Sequence, residues 1–367
     1  METTKNRVRI PVNTYRLIQI ILAVLFSVYL IWRFYVVLIG NPPYGVDTWV
    51  RLALSGVILG SVYALIAIGY TLVYGILFMI NFAHGDIMML GAFGGFFVFE
   101  AARSIPGGTV GGAQVSFANA QPVITIVLAF LVGMSVASIS GFFLERIAYR
   151  PLRNAPRLVP LISAIGASIF LENAAQLLFG SQRRDFANPA FLTRDQGWNI
   201  TVAGSNVVVT YTGIFTIVLS IIIMIGLYLL VQRTRFGRAM RAVAENKQTA
   251  ALMGIDVDAI ISRTFIVSGA LAGAAGVMWG IHLGLVYYLV GFTPGIKAFT
   301  AAVLGGIGNV PGAMLGGMFL GIVEALGPAV LGISFQLKDV IAFVILVLIL
   351  IFRPTGILGE VLTEDKV

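Results

Sequence analysis

Cysteine is absent from all 367 residues, which excludes disulfides and thiolate metal sites. Charge is scarce: Asp, Glu, Lys and Arg make up 11% of the chain, against 58% hydrophobic residues. A water-soluble domain of this length needs far more polar surface. Histidine occurs twice, at His84 and His282, with no HExxH pattern and no carboxylate-rich cluster, so no metal site is expected. No Gly-Lys pair exists, which removes the Walker A phosphate loop, and no serine stands in a Gly-x-Ser-x-Gly elbow. The chain is therefore not expected to be an enzyme, and no cofactor is expected on it.

What is present is a series of long apolar runs. A membrane span needs about 20 apolar residues, and helices satisfy their own backbone hydrogen bonds in lipid. The runs predict an all-α, polytopic helical bundle with roughly ten membrane segments, some of them broken or short. They lie near 17–39, 52–77, 86–101, 122–145, 158–180, 211–232, 260–282, 285–308, 311–330 and 336–352. The first is too long for a cleaved signal, lacks a small-residue cleavage pattern and follows a polar arm. The 42 glycines suit helices that approach closely, and GxxxG spacing at Gly56/Gly60, Gly91/Gly95, Gly269/Gly273, Gly276/Gly280, Gly312/Gly316 and Gly317/Gly321 predicts close packing. The run from Gly269 to Gly284 is the densest and predicts an interior helix.

The net charge of +8 is organised by topology rather than for nucleic acid. If the segments alternate, sixteen of the 24 Lys and Arg residues fall on one side. They include Lys5, Arg7, Arg9, Arg16, Arg146, Arg150, Arg153, Arg157, Arg233, Arg235, Arg238, Arg241, Lys247, Arg263, Arg353 and Lys366. Five, namely Arg51, Arg103, Arg183, Arg184 and Arg194, fall on the other. The positive-inside rule then puts both termini in the cytoplasm. On the outer side, 181–210 is expected to carry a short hairpin, Asn199–Val202 with Val207–Val209 around Gly204-Ser205-Asn206.

Three glycine- or proline-broken stretches interrupt the apolar pattern: 79–86, 291–295 and 305–312. Broken helices in a transporter line a pathway, and ordinary surface turns are the alternative. Asn81, His84, Thr300, Gly305 and Gly306 are the candidate path residues. Glu172, Glu324 and Lys297 are charges inside apolar segments, each a functional candidate because a charge in the bilayer is costly. The plainer alternative is that they hold the bundle together, Lys297 pairing with one of the carboxylates. Glu145 beside Arg146 is expected to form a salt bridge at a helix end, and Lys338 with Asp339 to mark the outer end of the last helix.

The basic interruption at 233–263 cannot face lipid. Asn246 can cap a short helix with its side-chain oxygen, and Gly254 suits the left-handed residue that ends it, with Ile255 folding back toward Ala250. The helix is expected to present Ala250, Ala251, Leu252 and Met253, resting on the protein's own helix ends or on a partner.

The chain resembles the permease subunits of branched-chain amino acid ABC importers over nearly everything after residue 52. The resemblance is carried by Gly60-Ser61-Val62-Tyr63 through Tyr74-Gly75, by Ile80-Asn81-Phe82-Ala83-His84-Gly85-Asp86 and by Glu145-Arg146-Ile147-Ala148-Tyr149-Arg150-Pro151-Leu152-Arg153. It continues in 161–166, in Lys297-Ala298-Phe299-Thr300 through Gly308, and in Arg353-Pro354-Thr355-Gly356-Ile357-Leu358-Gly359. It implies a permease domain over 51–367, and residues 1–50 form a cytoplasmic arm and an extra first helix. It implies a second permease chain (homologous or identical), two cytoplasmic ATPase subunits that bind ATP and Mg, and an extracytoplasmic solute-binding protein. The setting it implies is the lipid of the bacterial cytoplasmic (inner) membrane. Under it, Glu245, Asn246, Ala250, Leu252, Met253 and Gly254 belong to the loop that contacts the ATPase. Asn246-Lys247 stand where the family's Glu-Ala-Ala motif has two alanines. Related permeases carry urea and short amides, and a stand-alone ion-coupled carrier using Glu172 or Glu324 is the more distant alternative.

Overall fold

The computed structural model describes residues 12–37, 44–110, 113–153, 155–156, 158–202, 204–353 and 355–359. Lys5, Arg7, Arg9, Arg157, Pro354 and Lys366 lie outside the described residues, as does most of the expected N-terminal arm.

The helices in chain order are α1 (Val12–Tyr35), α2 (Val46–Leu77), α3 (His84–Ser104), α4 (Phe117–Ala120), α5 (Pro122–Leu144), α6 (Leu158–Phe179) and α7 (Tyr211–Arg233). They continue as α8 (Arg235–Glu245), α9 (Lys247–Leu252), α10 (Val257–Leu283), α11 (Phe292–Gly305), α12 (Val310–Leu331) and α13 (Lys338–Phe352). Eight helices among the described residues are long and apolar enough to cross a membrane. With α1, and with α11 and the chain leading into it, they account for the expected ten segments.

Small residues set the packing. Along α2 and α12, Gly56 and Gly60 meet Gly321, Ile322 and Met318, while Gly317 meets Ala64, so the two helices run antiparallel with backbones in contact. A second knot joins α3, α5 and α10. A Cβ on Gly273 would lie 2.5 Å from the Gly133 carbonyl oxygen, and one on Gly91 would strike Gly273 itself. Because α10 carries glycine or alanine on several faces, it can be surrounded, and its apolar stretch is the most enclosed of the spans. By contrast, α6 and α13 are mostly open, which is what lipid contact requires of apolar helices.

The eighth segment, 285–308, is not one helix. Leu285–Val286 (β6) pairs with Arg184–Asp185 (β3), a turn follows, and only then does α11 begin. With 14 residues α11 is about 21 Å long, too short to cross a core of about 30 Å. The physical cause is a backbone-to-backbone approach: a Cβ on Gly85 would lie 2.6 Å from the Gly291 oxygen and 3.1 Å from the Gly295 Cα. Thus α3 and α11 begin at the same place, inside the bundle.

At the end holding β3 and β6, Gly197–Val202 (β4) pairs with Ser205–Thr210 (β5). The hairpin is longer than the sequence predicted. Val202 pairs with Ser205, and Gly204 at φ +83° takes the left-handed conformation of a two-residue turn. Ser205 and Asn206 are therefore strand, not turn. A further hairpin, Pro106–Val110 (β1) with Ala113–Ser116 (β2), was not foreseen. At this end α1 leans on α12: Tyr29 donates to the Leu331 carbonyl at 2.9 Å and Arg33 to that of Val330 at 3.1 Å.

Candidate functional site

The opposite end carries the arginine-rich interruption, folded as α8 and α9. Thr234 caps α8 by accepting from the Gly237 N–H at 3.1 Å. Asn246 caps α9, its Oδ1 accepting from the Thr249 N–H at 2.8 Å. At the other end Gly254 sits at φ +83°, and the Ile255 N–H donates to the Ala250 carbonyl at 3.1 Å. Both ends of a helix too short to stand alone are thus closed by local hydrogen bonds. Leu252 and Met253 are 88% and 79% exposed. Ala250, expected on the presented face, is instead buried against the protein, because a helix must turn one side inward to be held.

At this same end an ion-pair cluster ties the turn after α5 to the start of α10. Arg153 Nη1 donates to Asp258 Oδ1 at 2.5 Å, and the same guanidinium also binds Glu145; Arg150 binds Asp258 as well. Glu145 is fully buried and accepts from the Ser262 hydroxyl at 2.7 Å. The salt bridge expected between Glu145 and its neighbour Arg146 is therefore made with Arg153 instead. The chain bends through a π-turn at Glu145–Tyr149 and a 3-10 turn at Arg150–Leu152, which swings Arg153 back over the carboxylate. Partial burial and the nearby Arg153 guanidinium lower the Lys247 ammonium below the ordinary lysine range.

A cavity of about 480 Å³ opens at this same end. Its walls are the last two turns of α2 with Thr71, Tyr74 and Phe78, the end of α7 with Tyr228 and Gln232, α8 with Arg241 and Glu245, and the 307–311 turn.

The expected path residues are all in the interior. Asn81 is 2% exposed, and its Oδ1 accepts from the Tyr149 hydroxyl at 2.9 Å. His84 packs edge-on against Tyr70 with ring centroids 4.7 Å apart, and lies where a side chain on Gly69 would be. Thr300 turns its hydroxyl onto its own helix, donating to the Ile296 carbonyl at 3.1 Å. Asn81, His84 and Thr300 stand on the buried seam between α2, α3 and α11. Gly305 and Gly306 do not join them. Gly305 packs on Gly312, and Gly306, at φ +104°, packs on Gly359. There the Ile357 and Leu358 N–H groups donate to the Leu304 and Gly305 carbonyls at 2.8 and 3.1 Å. The two sequence signatures at 297–308 and 353–359 are thus halves of one junction.

Of the three candidate buried charges, Lys297 and Glu324 are buried and meet, while Glu172 is only partly buried. Lys297 Nζ donates to Glu324 Oε1 at 2.7 Å and to Asp339 Oδ1 at 2.6 Å, with Lys338 Nζ 3.8 Å from Glu324. Two cations thus balance two anions and join α11, α12 and the start of α13. Glu172 stands apart on α6, one turn beyond Ser168, whose hydroxyl donates to the buried Asp86 at 2.5 Å. Asp86, Tyr149, Arg153 and Asp258 are the residues that sequence reasoning did not single out. Asp86 could have been found from its place two residues after His84 in a broken stretch, but nothing in the sequence pairs Asp258 with Arg153.

The chain matches the family described as branched-chain amino acid transport system, permease component, over residues 52–350. The high-affinity branched-chain amino acid transport system permease protein BraD of Pseudomonas aeruginosa is 45% identical over 312 residues, covering 85% of this chain and 96% of BraD. The corresponding permease protein LivH of Escherichia coli K12 is 45% identical over 306 residues, covering 83% of this chain and 94% of LivH. A shorter likeness, 32% over 140 residues, links the chain to the autoinducer 2 import system permease protein LsrC of Photorhabdus laumondii, covering 36% of this chain and 42% of LsrC. No solved structure matches the chain.

Proposed function

The chain belongs to the family of branched-chain amino acid transport permease components, and from that premise we propose that it is the membrane-spanning subunit of an ATP-driven importer of branched-chain or other neutral amino acids. It forms the translocation path and transmits the motion of partner ATPases through α9. ATP and Mg bind on two cytoplasmic subunits, a second permease chain completes the path, and an extracytoplasmic protein delivers the solute. The excess of Lys and Arg around α8 and α9 supports a cytoplasmic position for that end.

One observation carries the reading: a two-turn helix capped at both ends, which holds exposed Leu252 and Met253 away from the bundle. Ordering such an element is worthwhile only if something docks on it. The ion clusters extend the argument on both sides of the bundle. Arg153 and Asp258 fix the turn after α5 to α10, and α9 leads straight into α10 through the Ile255–Ala250 hydrogen bond and the Asp256 cap, so a push on α9 reaches the enclosed helix through the chain itself. The relatives support branched-chain amino acids, not urea or short amides. An ion-coupled carrier loses one of its two candidate carboxylates, since Glu324 is engaged by Lys297.

Purification of the tagged chain from its own cells tests the proposal. ATPase subunits are expected to come with it, and reconstituted vesicles are expected to take up leucine only when ATP and a binding protein are supplied. Uptake by the chain alone, driven by an ion gradient, would refute it.

A further inference from the structure

The corner between α7 and α8 holds arginines that neither the lever nor the ion clusters use. Along α7 runs an open apolar stripe of Val218, Ile222, Ile225 and Leu229, each at least 45% exposed. Spacings of three and four residues put them on one face, and the exposed Arg233, four residues past Leu229, continues it. With 23 residues α7 is about 35 Å long, so a stripe against a hydrocarbon core of about 30 Å brings Arg233 to the headgroup layer. Its stem can lie on apolar surface while its charge stays in the polar layer. After Thr234 the chain folds back. A Cβ on Gly237 would strike the Val231 carbonyl oxygen, and Arg241 donates to that same carbonyl. Helix α8 therefore lies across the end of α7, and the exposed Arg235 and Arg238, one turn apart, stay near the level of Arg233. Among the described residues, Arg233, Arg235 and Arg238 have no carboxylate or carbonyl partner.

We propose that Arg233, Arg235 and Arg238 bind the phosphate of an anionic phospholipid whose acyl chains lie on the α7 stripe, and that this lipid holds α8 at the membrane surface. The planar guanidinium fork matches phosphate oxygens, and basic clusters directly beyond a span attract anionic headgroups. No carboxylate pairs with the three cations, so a zwitterionic headgroup would bring a further cation among them, whereas an anionic one adds only negative charge. The apolar stripe leading sideways to Arg233 favours lipid over a partner protein, whose contact surface is Leu252 and Met253 on α9. Because α8 runs into α9 at the Asn246 cap, the lipid also sets the level from which the lever works. That this leaflet is the cytoplasmic one rests on the function proposed above; the lipid contact does not.

Quenching by brominated lipid tests the site in the full chain. Leu229→Trp places a reporter on the stripe, one turn before Arg233, and is read against the chain without it. The reporter chain is reconstituted in phosphatidylcholine vesicles carrying a minor share of brominated phosphatidylglycerol or of brominated phosphatidylcholine. Phosphatidylglycerol is expected to bind the more tightly, by about five-fold for each arginine engaged, and high salt is expected to shrink the difference. Arg233→Gln, Arg235→Gln and Arg238→Gln together are expected to make the two lipids equal, and Arg→Lys at the same three positions to keep a preference. Amide exchange over 235–245 is expected to be slower with phosphatidylglycerol present than in phosphatidylcholine alone. Equal quenching by the two lipids, or a preference that survives the triple glutamine variant, would overturn the lipid site. Equal amide exchange would overturn the anchoring of α8. If the triple variant instead loses its ATPase subunits on purification and keeps its lipid preference, the arginines serve the ATPase and the proposal fails. A complex that takes up no leucine under any condition would refute the permease assignment, and the quenching result would stand apart from it.

Discussion

At Gly254 the backbone conformation, not the space around it, selects the residue. Its φ of +83° lies in the left-handed region, and a Cβ placed there meets open space. Gly254→Val therefore carries a purely conformational cost of about 1–2 kcal/mol, enough to undo the end of so short a helix. The expected outcome is protein still inserted in the membrane, with ATP hydrolysis no longer tied to uptake. Gly254→Asn should restore coupling, because asparagine tolerates this conformation. Measuring both activities in the two variants separates loss of the cap from loss of the fold. Lys297 and Glu324 give a second residue-scale test. Both are buried, so removing Lys297 leaves Glu324 with only the distant Lys338 at a cost of about 3–5 kcal/mol, while removing both leaves only the partly exposed Asp339 and Lys338. Lys297→Met should lower the melting temperature in detergent more than the Lys297→Met/Glu324→Gln double variant does.

Between elements, the contact of α2 with α12 is backbone on backbone. A Cβ on Gly321 would overlap the Gly60 backbone, and one on Gly317 that of Ala64. Gly321→Leu is expected to force the helices apart, costing about 1–3 kcal/mol or more and showing as a lower melting temperature and reduced yield. The same change at Gly166 or Gly226, where nothing lies within 4 Å, should be silent. GxxxG spacing alone cannot make this distinction. Gly317 and Gly321 were visible as a pair, but the partner face on α2 emerged only when the helices were laid side by side. The split of 285–308 is of the same kind. Gly291, Pro294 and Gly295 announce a break, and the close approach of Gly85 explains why the break must stay free of side chains.

For the whole molecule, the question is how motion at one end opens a path through the bundle. The Asn81–Tyr149 hydrogen bond links the seam to the turn that also holds Arg153, and Arg153 in turn holds α10 through Asp258. The seam and the turn thus form a continuous set of contacts with α10, into which α9 leads. If the seam is the path, Asn81→Leu and Thr300→Leu should each slow uptake by about ten-fold, or ~1.4 kcal/mol, in complexes that still assemble. Unchanged uptake in both would remove these residues from the path.

The sequence by itself determined the membrane bundle, its approximate segments and the short capped helix at 247–252, since these follow from local properties: apolar run length, the capping power of Asn246 and the backbone freedom of Gly254. The pairing of Lys297 with Glu324 was half legible, as two charges that had to be neutralised somewhere. Only the tertiary structure decided that Arg153, not Arg146, neutralises Glu145, that Gly305 and Gly306 belong to a junction with 355–359, and that a cavity opens beside α8. Those outcomes depend on which distant stretches of chain are brought within a few ångströms, and residue type and spacing along the chain do not encode that distance.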